Sequence, residues 1–465
     1  MEKPKPSVEG QVTLSREMNL LQITAIGIGA MIGAGIFILT GIAAGLAGPA
    51  LILVFALNGI IAVIVGACYA ELASAMPRAG GPYCWLKAAI GPRWGFFAGW
   101  MSWFANTLAC SLYALGFGAF AAKLLEVCCG PFLLLHQHLS LGIAIIIMLV
   151  FLFVNYRGAD EAGWTEVVIT GTKLAILFAF GLFGLAIVIG KNNIMPAFTP
   201  FFPEGAVGVM SAMGLTFIAF EGYEIITRSA EEIKNPEKNI PRAIFLSIGT
   251  AVILYLMIAI VMLGTTQAPQ GESVYLYLGR LGEHGMMEAS GQLLPYGKLV
   301  MLVAGLASTG SALNATLYSA SRVSFAMGRG QDLPIILARI TPVRRTPHWA
   351  IATTGVLSMT MLLLLPIREV AASTSLMFLL LFALVCYSLI RLRHKQPDLK
   401  RSFKVPLVPL LPWVGVISCV VLSFALMNLS LSAWIAAGIW IVTGALVNHG
   451  MPGKQVINLG KKENG

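Results

Sequence analysis

Residues 27–37 read Gly-Ile-Gly-Ala-Met-Ile-Gly-Ala-Gly-Ile-Phe, and the fold of the chain turns on them. They lie inside an apolar run over 20–46, and a membrane-spanning helix needs about 20 apolar residues. Glycine holds positions 27, 29, 33 and 35. Each glycine costs a helix about 0.5–1 kcal/mol against alanine, so this density favours opening the helix in mid-membrane. An opened helix presents the free amides that begin its second half, and that positive dipole end receives a carboxylate. Gly29 and Gly33 also have the GxxxG spacing of a helix-packing surface, and on the residues alone both readings stay open. A dinucleotide-binding loop does not fit: no strand precedes the run and the glycine spacing differs.

Outward from this run the whole chain reads as membrane-embedded. Of 465 residues 57% are hydrophobic and only 11% charged, with a mean hydropathy of +0.82; a soluble chain carries about 25% charge. That excludes a secreted disulfide scaffold, a nucleic-acid binder and a disordered chain. Apolar windows fall near 20–46, 49–76, 94–122, 139–155, 165–190, 207–227, 243–266, 296–325, 349–366, 369–391, 406–427 and 430–449. The expected fold is an all-α integral membrane protein of about twelve spans, the first and eighth long enough to be tilted or interrupted. Barrel strands would show ten-residue alternation instead. The first eighteen residues are polar and the following run is too long for a signal peptide, so the first span acts as its own anchor. Seven cysteines (68, 84, 110, 128, 129, 386, 419) form no CxxC pair, which argues against a disulfide framework or a zinc site. His136 and His138 sit two apart, a poor metal spacing.

Charge sets the orientation. With a cytoplasmic N-terminus, 25 of the 31 Lys and Arg fall on the inner side and 5 on the outer, with Lys173 inside a span. By the positive-inside rule both termini are cytoplasmic. The longest external connection, 267–295, carries Glu272, Glu283 and Glu288 and reads as a short amphipathic cap. The sequons at Asn314 and Asn428 fall in or beside a span and are chance matches.

The sixth span supplies a second break. Residues 216–224 read Thr-Phe-Ile-Ala-Phe-Glu-Gly-Tyr-Glu, placing Glu221 and Glu224 around Gly222 in an apolar segment. A carboxylate at mid-bilayer costs at least a few kcal/mol, so it needs a partner, a proton or a watery cavity. The competing reading puts both acids near the cytoplasmic end, beside Arg228, Glu231 and Glu232. Lys173 lies about 12 Å down the fifth span, too deep to snorkel easily. It is either a proton-exchanging group or structural glue on backbone carbonyls. Asn58, Asn106, Asn155 and Asn314 read as interhelical hydrogen-bond glue, and Glu71 as the partner of loop basics such as Arg78. Breaks in spans one and six, five helices apart, are what an inverted five-helix repeat predicts, with the site between them. No GxSxG, HExxH, P-loop or Ser/His/Asp set occurs in a plausible context, so transport would run on ion gradients or exchange.

These residues resemble the amino acid–polyamine–organocation superfamily over essentially the whole chain. The likeness rests on Gly29-Ala-Met-Ile-Gly33-Ala-Gly35-Ile-Phe37, on Tyr69-Ala-Glu71-Leu with Met76-Pro-Arg-Ala-Gly-Gly-Pro-Tyr83, and on Phe217 through Glu224 with Glu231-Glu-Ile-Lys-Asn-Pro236-Glu-Lys-Asn-Ile-Pro241. Within it the chain is most similar to prokaryotic ApcT-like permeases and cationic amino acid transporters. The resemblance implies a LeuT-like 5+5 inverted repeat with broken helices one and six and two extra C-terminal helices. The implied segments are a 1–18 tail, repeats over 19–195 and 205–395, spans eleven and twelve over 403–450, and a 451–465 tail. It also implies residue roles. Met31, Ile32, Gly33, Ala34 and Gly35 would hold the substrate carboxylate through backbone amides. Ile218, Ala219 and Glu221 would offer carbonyls to the α-amino group, and Phe220 with Ile218 would form the wall or gate. Lys173 would replace a bound sodium ion and carry the coupling proton; Glu224 would gate or sense protons. Glu221 departs from the pattern, since that position is usually apolar. It either favours cationic substrates or joins the coupling path.

The leading expectation is a secondary active amino acid permease of the cell membrane, a proton symporter working by alternating access. It would take a free amino acid, with no cofactor beyond the coupling proton, no nucleic acid and no obligate protein partner. Alternatives are an amino acid or polyamine exchanger and a non-transporting sensor. The vicinal Cys128 and Cys129 resemble the partner-bonding cysteine of heteromeric exchangers, a match that the short termini disfavour. An enzyme lacks any nucleophile–base or metal constellation.

Overall fold

Hydrocarbon offers no water to backbone groups, so each apolar run must satisfy its own amides as helix. The computed structural model describes residues 18–77, 80–130, 136–157, 162–191, 194–341, 344 and 346–450. Among them, ten helical stretches are long and apolar enough to cross a bilayer. The first of these, Leu20–Ala75, has 56 residues and would run about 84 Å as one helix. It is two spans, parted at Gly48, which takes a positive φ of 63° ahead of Pro49. His348–Leu364, 17 residues long, completes the twelve.

Helix pairing shows how the halves interlock. The third span packs along the eighth, the second along the seventh, and the first against the sixth, a constant offset of five. The leading half of the first span, Leu20–Met31, lies on the trailing half of the sixth, Tyr223–Arg228. Its trailing half, Ala34–Ala47, lies on the sixth's leading half, Gly205–Thr216. The two broken helices are therefore antiparallel, as inversion requires. Burial separates centre from rim: the sixth and tenth spans are 78% enclosed by protein, the fourth and twelfth only 17%. Those outer helices keep apolar residues on every face because lipid is their solvent.

Several expectations are sharpened. The connection after the seventh span folds as two short helices, Val274–Leu281 and Gly285–Leu293. It caps the trailing half of the first span, with Gly45 against Gly279. The third span runs over Pro92–Cys129, 38 residues, so Cys128 and Cys129 sit on its exposed last turn. The eighth span is one unbroken helix of 33 residues, Gly297–Arg329; at about 50 Å it must tilt.

Glu71 draws partners from a loop and from a span. Its carboxylate, fully buried, accepts from Nε and an Nη of Arg393 at 2.8 and 2.6 Å and from the Val405 amide at 2.6 Å, with Arg401 Nε in ion-pair contact at 3.2 Å. Arg78 lies outside the described residues. The expected loop cation is present in Arg401, from the loop after the tenth span; to it the tenth span adds Arg393, 322 positions away, a planar two-pronged donor that matches a carboxylate.

Candidate functional site

The site is assembled where the two breaks meet. In the first span only Ile32 and Gly33 leave the helix, at φ/ψ of −82°/62° and −102°/−141°. Ala34 and Gly35 then open the trailing half-helix. Gly33 stands at its N-terminus with no side-chain cap, so the first amides of that helix have neither an intrahelical nor a capping acceptor. Met31, Ile32 and Ala34 are buried to 1% or less. The two readings of the glycine run both hold: a Cβ at Gly33 would press on Ala312 and Tyr113, and one at Gly29 on Glu166 and Thr170.

In the sixth span Phe217–Phe220 form a single 3-10 turn, Glu221 is extended, and Gly222 takes a φ of 121°. A side chain at Gly222 would meet the Met31 amide and the Ala30 carbonyl carbon at 2.5 and 2.7 Å. Glycine is required there twice over, for its conformation and for the contact of the two backbones. Gly35 likewise faces the Cα of Ala219 at 2.7 Å from an added Cβ.

Side chains from other helices lock the breaks. The Lys173 ammonium donates to Gly29 O at 2.7 Å and Ile32 O at 3.1 Å. It sits on the carbonyls that the opened helix releases, where a cation is favoured, and Ser308 donates to Ile32 O as well. The Tyr255 hydroxyl lies 2.8 Å from both Met31 O and Ala219 O, bridging the two breaks with one proton. Ile218 O accepts from the Glu221 amide at 3.2 Å, and the Ile218 amide reaches Ser375 Oγ at 3.2 Å. Two of the three carbonyls proposed for an ammonium thus already hold a protein donor, each with a second lone pair in reserve.

Both acids are buried inside the protein. Glu224 accepts from the Gly222 amide at 2.7 Å and so caps the trailing half of the sixth span. Glu221, 2% exposed, keeps one carboxyl oxygen free of hydrogen bonds. With Ala30, Asn106, Tyr113, Thr316 and Phe378 it lines a small cavity with room for about one water. Phe220 does not line that cavity. Its ring packs at 5.2 Å on Tyr255 and 6.3 Å on Phe55, towards the seventh and second spans.

Three contributors escaped the sequence reading. Tyr255 looks like packing in an apolar span. Arg228, counted among loop cations, is buried and donates to Asn106 at 2.8 Å, to Ser102 at 3.0 Å and to Ser319. Glu166 accepts from Ser311 at 2.7 Å and Thr170 at 3.1 Å. An acid two turns before an intramembrane lysine, on the same face, was the signal available for it. Of the asparagines, Asn58 donates to Met213 O at 2.9 Å and Thr216 at 3.1 Å, and Asn155 to Asn314 at 2.9 Å, the interhelical bonds expected of them.

An uncapped helix start facing released carbonyls, between antiparallel broken helices in a bundle of membrane-spanning length, defines a membrane transporter of the inverted-repeat class. The model of the amino acid permease family matches residues 18–448. The chain belongs to that family, within the amino acid–polyamine–organocation superfamily. Among its relatives are the branched-chain amino acid permease BcaP of Bacillus subtilis, 29% identical over 95% of this chain and 94% of the relative. The methylthioribose transporter of the same organism is 29% identical over 94% and 93%. The inner membrane transport protein YbaT of Escherichia coli is 30% identical over 85% and 87%.

Proposed function

We propose that the chain carries a free α-amino acid across the cell membrane together with a proton, by alternating access, with both termini cytoplasmic. The observation that carries this reading is the Lys173 ammonium bound to Gly29 O and Ile32 O. A protonatable cation there ties the shape of the break to its own protonation, because the neutral amine gives up the charge-assisted hold on those carbonyls. The substrate carboxylate would take the uncapped amides of 33–35. The ammonium would take the carbonyls of 218–221, leaving the side chain towards the cavity beside Glu221. A relative named for branched-chain amino acids makes leucine, isoleucine and valine the first substrates to try.

The test is uptake of a labelled amino acid panel into proteoliposomes under an inward proton gradient, an inward sodium gradient, or neither. Accumulation with the proton gradient alone supports the reading. Lys173→Ala should then lose accumulation while purifying as folded protein; a variant that still accumulates fully overturns the role of Lys173. Uptake only into vesicles preloaded with substrate would replace symport by exchange.

A further inference from the structure

Lys173 is 1% exposed, so a proton it carries needs a route to water. Two of its three N–H donors go to Gly29 O and Ile32 O. Its surroundings come from the first span, the eighth and its own helix. From the first span come only backbone carbonyls, from the eighth the hydroxyl of Ser308, also on Ile32 O. The Tyr255 hydroxyl of the seventh is committed elsewhere, to Met31 O and Ala219 O. On its own helix the acid is Glu166, seven residues and about 10 Å towards the cytoplasmic end.

Gly29 stands between them. Its carbonyl holds the ammonium, while its α-carbon lies against the Glu166 carboxylate so closely that any side chain would collide with it. Glu166 is fixed there by Ser311 of the eighth span and Thr170 of its own, and Thr170 reaches Ala25 O at 3.3 Å. Glu166 is half-buried and opens the fifth span's apolar stretch, while Lys173 is sealed within it; with the N-terminus cytoplasmic, as proposed above, that end of the span is the cytoplasmic one. The leading half of the first span, Leu20–Met31, is thus the partition between the two groups.

We infer that Glu166 is the proton acceptor through which Lys173 exchanges with the cytoplasm, screened by Gly29 and connected when the leading half of the first span moves off the fifth. The step balances: the Nζ–H bond of Lys173 breaks, the proton passes to a carboxylate oxygen of Glu166, leaving amine and carboxylic acid, and Glu166 then releases it to water. One movement would release the carbonyls from the ammonium and open its path to the acid, so helix position and protonation change together. This rests on the proton-symport reading above.

The experiment compares wild type, Glu166→Gln and Glu166→Asp in proteoliposomes by two assays. One is net accumulation driven by a proton gradient, read as a pH profile. The other is counterflow between equal substrate pools, which needs no net proton release. Glutamine keeps the oxygen that accepts from Ser311 and Thr170, so the helix tie survives. The expected result is net accumulation reduced about 100-fold with counterflow within about twofold of wild type, and partial return of proton drive in Glu166→Asp. Accumulation in Glu166→Gln with the wild-type pH profile overturns the inference, as does loss of both assays together, which would make Glu166 a structural tie. Should Glu166→Gln not fold, Glu166→Asp decides by the same criteria. The wild-type profile is read separately: no proton dependence there refutes the symport reading itself, whatever the variants do.

Discussion

Gly222→Ala is the sharpest test of the claim that the two breaks touch backbone to backbone. At φ 121° an alanine is strained, by about 1–3 kcal/mol. Its methyl would sit 2.5 Å from the Met31 amide and 2.7 Å from the Ala30 carbonyl carbon, both backbone atoms that no rotamer change can move. Overpacking of that kind costs about 1–3 kcal/mol more. The sum, about 4 kcal/mol, lowers the folded-to-unfolded ratio roughly a thousandfold. The assay is an unfolding titration of purified protein in mixed micelles, with substrate uptake measured alongside. Gly249→Ala is the control: it lies within the seventh span, where an added Cβ meets nothing within 4 Å, and should stabilise by about 0.5–1 kcal/mol. Gly222→Ala losing less than about 1 kcal/mol while transporting normally would refute the close contact on which the site is built.

Other substitutions probe its supports. Tyr255→Phe removes the hydroxyl that bridges Met31 O and Ala219 O. It should cost about 1–2 kcal/mol and slow uptake; unchanged stability and uptake would deny it the bridge. Glu71→Gln breaks the ion pair with Arg393. Arg393 is 27% exposed and regains some water, so the loss should fall near the lower end for buried pairs, about 3 kcal/mol. A loss within about 0.5 kcal/mol, typical of surface substitutions, would contradict that burial. Asn155→Leu removes the bond to Asn314 between the fourth and eighth spans and should cost only about 0.6 kcal/mol, with transport intact. Abolished transport in Asn155→Leu would show that this pair does more than join helices.

Part of the site was visible in one dimension. Lys173, Glu221 and Glu224 stand out because a charge in an apolar window is costly, and the breaks stand out because glycine is poor in a helix. Glu166 did not stand out, since charges at the edge of a span are ordinary. Arg228 was misplaced for a related reason: it follows the last apolar residue of the sixth span, yet Ser102, Asn106 and Ser319 enclose it from the third and eighth. Phe220 stands in the 3-10 turn of the sixth span, and only the packing shows that its ring meets Phe55 and Tyr255 of the second and seventh.

Hydropathy, glycine placement and the sidedness of Lys and Arg are properties of consecutive residues. They sufficed for the helical membrane class, the twelve spans and the two interruptions, because a bilayer charges each residue locally for its polarity. Which carbonyl holds Lys173, which arginine answers Glu71, and that one tyrosine joins both breaks depend on groups tens to hundreds of positions apart. Only the packing of the helices brings these together, since a hydrogen bond is decided by direction and distance in space and not by order along the chain.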